Sequence, residues 1–333
     1  MRIVASAPGR CGILGNPTDM YGGSVLSCSL AERATAILEP SEYVVLVADN
    51  GEQQCVISSA HDLQPRGDRL DLTKAVLRGT GFVLPPRGKG FTLTTSTEIP
   101  MQAGLAGSTA LMAAVYGAVT AHKQQSKHAI AEAIRSIEYT ELGVICGFQD
   151  QYMAVFGGFN YIDFRGKGSH LDQEAMPYAT VEPLADALSG PLPLVLANTG
   201  VIHHSGAAHK PVRLRWLEGD TEVVDAYNHL GNLARSGKKS LLENDWDTLA
   251  ASMNENLAIQ QRLGASGEAC DRLASAALSG GAIAAKLAGA GQGGTVLAVT
   301  FDKERTVKAL LDAGATRILY PKPGPGLTIT VEA

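Results

Sequence analysis

The stretch that decides the fold is Ile99-Pro100-Met101-Gln102-Ala103-Gly104-Leu105-Ala106-Gly107-Ser108-Thr109-Ala110. Its small residues let backbone N–H groups close around an anion. The Ala-rich pattern from about Ser108 to His122 then reads as a helix, whose start adds free donors and a positive dipole end. This is a phosphate cradle. It lacks the lysine of G-x-x-x-x-G-K-[ST], so oxygen ligation of a phosphate or metal falls to the hydroxyls of Ser108 and Thr109.

Two further glycine-rich motifs flank it. The first is Pro8-Gly9-Arg10 followed by Gly15-Asn16-Pro17-Thr18-Asp19-Met20-Tyr21-Gly22-Gly23. Asn, Thr and Asp close together offer sugar-type hydrogen bonds, and Arg10 brings a permanent charge. The other, Gly289-Ala290-Gly291-Gln292-Gly293-Gly294, formally satisfies G-x-G-x-x-G. A dinucleotide site needs a helix after it, yet Thr295-Val296-Leu297-Ala298-Val299 reads as a strand. That leaves a turn between two strands, or a loop packed against a bound ligand.

With 333 residues, 45% of them hydrophobic and 18% charged, the chain has an ordinary globular balance and room for two domains. The formal charge of −5, from 28 basic and 33 acidic residues, argues against nucleic acid as a partner. Five scattered cysteines without a C-x-x-C pair point to a reduced compartment and no structural zinc. The N-terminal segment has no long apolar region and no stretch is long enough to span a bilayer, so the expectation is a soluble, cytoplasmic protein without a membrane partner.

Short β-like runs at Arg2 to Ala7, Ser24 to Leu30, Ala34 to Leu38, Tyr43 to Ala48 and Phe91 to Thr95 suggest a mostly antiparallel sheet. Helical patterns follow at 108 to 122, at Lys127 to Leu142 with Ser126 as N-cap, and at Phe148 to Val155, and then a β-like run at Phe159 to Phe164. The segment Arg165 to Pro193 reads as a hinge. The second half opens with the apolar run Leu194 to Ala197. Helical patterns follow at His209 to Trp216, Glu222 to Ala234, Asp245 to Ile259 and Gly267 to Leu278, before β-like pieces near 295 to 301 and 327 to 331. Without a βαβαβ rhythm the class is α+β, with domains expected at 1–180 and 181–333.

The three motifs in this order resemble those of the GHMP kinase superfamily. Residues 141 to 151, 156 to 164 and 212 to 220, together with 99 to 110, are similar to its glucuronokinase-like sugar-1-kinases. The segment Gln149-Asp150-Gln151 is also similar to heptose kinases. The resemblance implies an N-terminal domain like ribosomal protein S5, a ferredoxin-like C-terminal domain, and ATP and Mg²⁺ as cofactors. It makes Pro100, Gln102, Ala103, Gly104, Leu105, Ala106, Gly107, Ser108 and Thr109 the nucleotide-binding set, and Ser108 and Glu138 the metal ligands, with Glu141 as the fallback. Asp150 becomes the general base and Arg10 its catalytic partner.

Sugar contacts implied are Asn16, Thr18, Asp19, Gly22, Gly23, Tyr161, His204, Arg213 and Gly291. Asn16-Pro17 stands where galactokinases carry Glu-His, which argues against galactose. His203, His204, Lys210, Arg213 and Arg215 form the richest cationic cluster, the feature a uronic acid's carboxylate would need. The expectation is therefore a small-molecule sugar kinase acting at C1, monomeric or homodimeric. Rival readings are a heptose-phosphate kinase, a mevalonate-class kinase, and a catalytically silent sugar and nucleotide sensor.

Overall fold

Burial alternates along the chain from Arg2 to Ala7 and is then continuous to Leu14. This is the pattern of a strand with one wet face that runs under other elements in its second half. It forms β1 (Arg2–Leu14) in a computed structural model that describes residues 1–48, 51–184, 188, 190–201, 212–289 and 294–332. The runs at 24 to 30 and 34 to 38 are one strand, β2 (Ser24–Ser41). Register shifts in β1 between Pro8 and Arg10 and between Gly12 and Leu14 keep the two long strands paired. Such irregularities re-aim side chains, and here the re-aimed residue is Arg10.

The first sheet continues with β3 (Val44–Ala48), β4 (Gln53–Ile57), β5 (Gly90–Thr97), β6 (Phe159–Asp163) and β7 (Thr180–Pro183). Its order is β12 (Thr328–Glu332), β1, β2, β5, β3, β4, with β6 joining β2 and β7 joining β6. All pairings are antiparallel except β3 with β5. The second sheet, β11 (Arg317–Leu319), β8 (Leu194–Asn198), β10 (Thr295–Val299) and β9 (Ala284–Leu287), is antiparallel throughout. The α+β class expected from the sequence is what the chain adopts.

Helix α1 (Asp71–Gly79) precedes α2 (Gly107–Val119), in which every residue from Thr109 to Ala118 is buried. Its alanines and Gly117 let it lie close on β1 and β2, as a helix apolar on all sides must. In α3 (Lys127–Leu142) the Ser126 hydroxyl accepts from the Ala129 N–H, and Gly143 ends the helix with φ 65°. Helix α4 (Gln149–Phe156) leads through Gly157 into β6. The second half adds α5 (Thr221–Leu242), α6 (Trp246–Arg262), α7 (Glu268–Ser279) and α8 (Lys303–Asp312). No helix among the described residues is long and apolar enough to cross a membrane.

Candidate active site

The phosphate cradle is held in a strained backbone. Gln102 and Ala106 have φ of 52° and 61°, and Gly104 lies between them at 69°. Left-handed conformations at non-glycine residues persist only where the surroundings enforce them, and here two neighbours do so. The Arg10 N–H donates to the Leu105 carbonyl at 3.0 Å and its Nη1 to the Gly104 carbonyl at 2.7 Å. From the other side, the loop between β9 and β10 presses on the cradle. A Cβ on Gly289 would lie 2.6 Å from the Gly104 oxygen, and one on Gly294 2.7 Å from the Ala103 oxygen. Gly289 and Gly294, the described ends of the third motif beside the antiparallel neighbours β9 and β10, thus allow direct backbone contact with the second.

Arg10 also reaches across to α4. Its Nη2 and Nε lie 2.6 and 2.8 Å from one oxygen of Asp150, whose side chain is one-third exposed to the cleft. Asp150 is placed by the helix it sits on, and that helix is capped from far away. One oxygen of Asp19 accepts the N–H groups of Phe148 and Gln149 at 2.8 and 2.9 Å. Burial pushes the Asp19 carboxyl up, and these two N–H groups hold it down. Gly147 must be glycine for this to work, since a Cβ there would stand 1.9 Å from the capping oxygen.

Glu138 projects from α3 into the same cleft. Its Oε2 accepts from Thr109 Oγ1 at 3.2 Å and Gln151 Nε2 at 2.8 Å, and no salt bridge reaches it among the described residues. Burial, reinforced by the nearby Asp150 charge, raises its carboxyl to about 7. The two hydrogen bonds and the more distant Arg135 charge oppose that rise, yet a buried carboxylate without a direct ion pair is an expensive arrangement that a bound cation relieves. With Ser108 lining the same cleft, the pair suits Mg²⁺, which takes one or two protein oxygens and completes its shell with phosphates and water. No group of three or more His, Cys, Asp or Glu side chains that could cage a metal exists among the described residues.

The cleft is lined by Arg10, Asn16, Asp19, the loop from Gln102 to Thr109, Glu138, Asp150 and Gly289. Pro100 lies outside it. Glu141 is turned away and bound to Arg78 at 2.7 Å. Thr18, Gly22 and Gly23 line a neighbouring cavity with Tyr21, Trp216 and Tyr227. Tyr161 lies in neither cavity; it is buried on β6 and donates to Ser24 Oγ at 2.9 Å. Arg215 is bound to Asp220 and Glu222, whereas the buried Nε of Arg213 has no partner among the described residues. His203, His204, Lys210 and Gly291 lie outside the described residues.

Three contributors escaped sequence reasoning. Gln151 holds Glu138. Cys146 lines the cleft, but burial pushes its thiol up, away from nucleophilic use. Lys286, fully buried on β9, donates to the Gly12 carbonyl at 3.2 Å, to Asn16 Oδ1 at 2.9 Å and to the Leu287 carbonyl, and burial lowers its ammonium to about 7. A lone charge inside Ala284-Ala285-Lys286-Leu287 was the available signal.

Sequence models of known families match this chain in three places. GHMP kinases N terminal domain covers residues 71–158, GHMP kinases C terminal covers 238–316, and the galactokinase galactose-binding signature covers 1–40. The chain belongs to the GHMP kinase family. Glucuronokinase 1 of Arabidopsis thaliana is 30% identical to this kinase over 76% of the chain and 73% of the relative. D-glycero-alpha-D-manno-heptose 7-phosphate kinase of Campylobacter jejuni is 26% identical over 88% and 87%. Lactococcus lactis galactokinase, solved with galactose, has the same fold, with a TM-score of 0.78 at 19% identity over 98% of this kinase and 95% of that chain. Membership makes the protein an ATP-dependent phosphotransferase.

Proposed function

We propose that this kinase transfers the γ-phosphoryl group of ATP, with Mg²⁺, to the anomeric hydroxyl of a sugar acid of the glucuronate type. The observation that carries the reading is the Arg10–Asp150 pair facing the cradle across one cleft. Phosphoryl transfer asks little covalent help from a protein and much positioning. The backbone of residues 102 to 107 and the start of α2 hold the nucleotide phosphates. Ser108 and Glu138 hold the metal ion, which neutralises charge on the phosphates when bound.

One Asp150 oxygen is fixed by Arg10, and the other accepts the proton of the attacking sugar hydroxyl. Arg10, tied to the cradle through Gly104, lies beside the transferred group and stabilises its developing charge. The Asp19 cap keeps α4, and therefore Asp150, in register with Arg10.

An acidic sugar is supported by the glucuronokinase relative and by Arg213. The buried Nε of Arg213 has no partner among the described residues, whereas Nε and Nη2 of Arg215 are held by Asp220 and Glu222. Arg213 also lies beside Tyr21, on the first motif, where its charge opposes the rise that burial imposes on the phenol. The heptose-kinase relative supports a second reading, a phosphorylated heptose. A coupled ADP-release assay with Mg-ATP and glucuronate, galacturonate, galactose, a heptose 7-phosphate and mevalonate decides between them, with ³¹P NMR reporting phosphate at C1. Turnover confined to neutral or phosphorylated sugars would sink the uronate assignment, and silence across the panel would favour a sensor.

A further inference from the structure

Asn16 lines the cleft, yet each end of its amide is already engaged by the protein. Its Oδ1 accepts from Lys286 Nζ at 2.9 Å and its Nδ2 donates to the Gly289 carbonyl at 2.7 Å. Gly12 makes room for this, since a Cβ there would sit 2.6 Å from the same Oδ1. Gly12 itself donates its N–H to the Ala288 carbonyl at 2.8 Å, and the Asn16 carbonyl accepts from Gln260 on α6 at 3.4 Å. The first motif is therefore riveted to the β9 end of the third, and Lys286 is the rivet. A fully buried ammonium bonded to three neutral oxygens is a costly choice for a position that an apolar residue could fill.

What the rivet controls follows from contacts already described. Gly289, anchored by Asn16, presses directly on Gly104. The Gly104 carbonyl accepts from Arg10, and Arg10 holds Asp150. A chain of single contacts thus runs Lys286, Asn16, Gly289, Gly104, Arg10, Asp150, from a strand of the second sheet to the reacting groups.

We infer that Lys286 is a positioning residue for phosphoryl transfer: through Asn16 it sets the gap between the phosphate cradle and the Arg10–Asp150 pair, and Asn16 is a brace in this kinase, not a sugar ligand. The inference rests on reading the cleft as the kinase site, but not on which sugar it takes.

The test compares Lys286→Met, Asn16→Ala, the double variant and Asn16→Asp. Each is assayed well below its own melting temperature for kcat, for KM of ATP and sugar, and for affinity toward Mg-AMP-PNP alone. Misplacing reacting groups by about 1 Å costs roughly 100-fold, so each single variant should lose about 10- to 100-fold in kcat and bind Mg-AMP-PNP more weakly. The double variant should be no worse than the worse single one, because both cut the same chain.

Asn16→Asp guards against a trivial folding defect. It offers Lys286 a carboxylate, and so retains stability, but it has no donor for Gly289 and should share the kinetic loss. Multiplying effects in the double variant, kcat within twofold of wild type in Lys286→Met, or a fully active Asn16→Asp would each overturn the inference. So would Asn16→Ala altering the preference among sugars while Lys286→Met does not. The Mg-AMP-PNP arm needs no sugar, so a wrong substrate assignment leaves it fully measurable.

Discussion

Glu138→Gln separates the stability cost of the site from its catalytic use. The folded carboxyl titrates near 7 against 4.5 for the free side chain, because it is buried and faces Asp150. Between those two values the folded state binds the proton more readily than the unfolded state. Stability from this group is therefore full below pH 4.5, declines as pH rises, and is lost above about 7. At pH 8 in chelator the ionised carboxylate destabilises the fold by about 3 kcal/mol relative to its acidic limit. A neutral amide of the same shape removes most of that. For a cooperative unit of this size, with roughly 2.1 cal/mol/K per residue, the variant should melt about 4 °C higher at pH 8. Near pH 5 the gap should shrink to under half.

Adding Mg-ADP should stabilise the wild type more than the variant, since the wild-type carboxylate then gains a cation. Turnover should fall about 100- to 1000-fold despite the better fold. Scanning fluorimetry at the two pH values with chelator or Mg-ADP, beside an ADP-release assay, reads all of this. A variant that melts at or below the wild type at pH 8 would refute the claim of a carboxylate without an ion pair that destabilises the fold, as would a gap indifferent to pH.

Asp150→Asn should lower kcat by about 1000-fold while Mg-AMP-PNP affinity, measured calorimetrically, stays within threefold; near-normal turnover would remove Asp150 from its role. Gly147→Ala places a methyl 1.9 Å from the Asp19 carboxylate, so it should destabilise by about 2 kcal/mol through the lost cap and also reduce kcat, a combination that chemical denaturation and steady-state kinetics detect together. Gly289→Ala has an ordinary backbone conformation but meets the Gly104 oxygen at 2.6 Å. It should raise the KM of ATP about 10-fold and leave that of the sugar nearly unchanged, and an unaltered KM of ATP would contradict the bracing role of the third motif.

Helix α3 was legible at Lys127 to Leu142, because Ser126 marks its start and apolar residues recur at helical spacing after it. The meeting of Arg10 with Asp150, 140 positions apart, came from the order of the motifs and not from local pattern. What failed to show was anything decided by tertiary partners. Asn16 and Asp19 read as sugar ligands because Asn and Asp in a turn look available, yet the structure gives both amide ends of Asn16 and one oxygen of Asp19 to protein groups. Tyr161 follows a double glycine in sequence, but register with Leu26 on β2 turns it into the core. Strand β9 is too short and α8 too polar to stand out by periodicity. Glu138 and Glu141 were separable only once Arg78 was seen to hold the latter.

The pairing of β12 with β1, from Arg2 opposite Glu332 to Ser6 opposite Thr328, has a consequence for how the molecule comes into being. The strand that carries Arg10 starts folding with an open flank, and the segment that closes it leaves the ribosome after more than 300 other residues. Until then the unpaired N–H and C=O groups of β1 are a docking site for any extended chain. Truncation before Thr328 should therefore cost solubility before it costs catalysis. By the same geometry, joining residues 2 and 332 through a short linker and opening the chain at an exposed turn elsewhere would let this sheet assemble early, as a local hairpin.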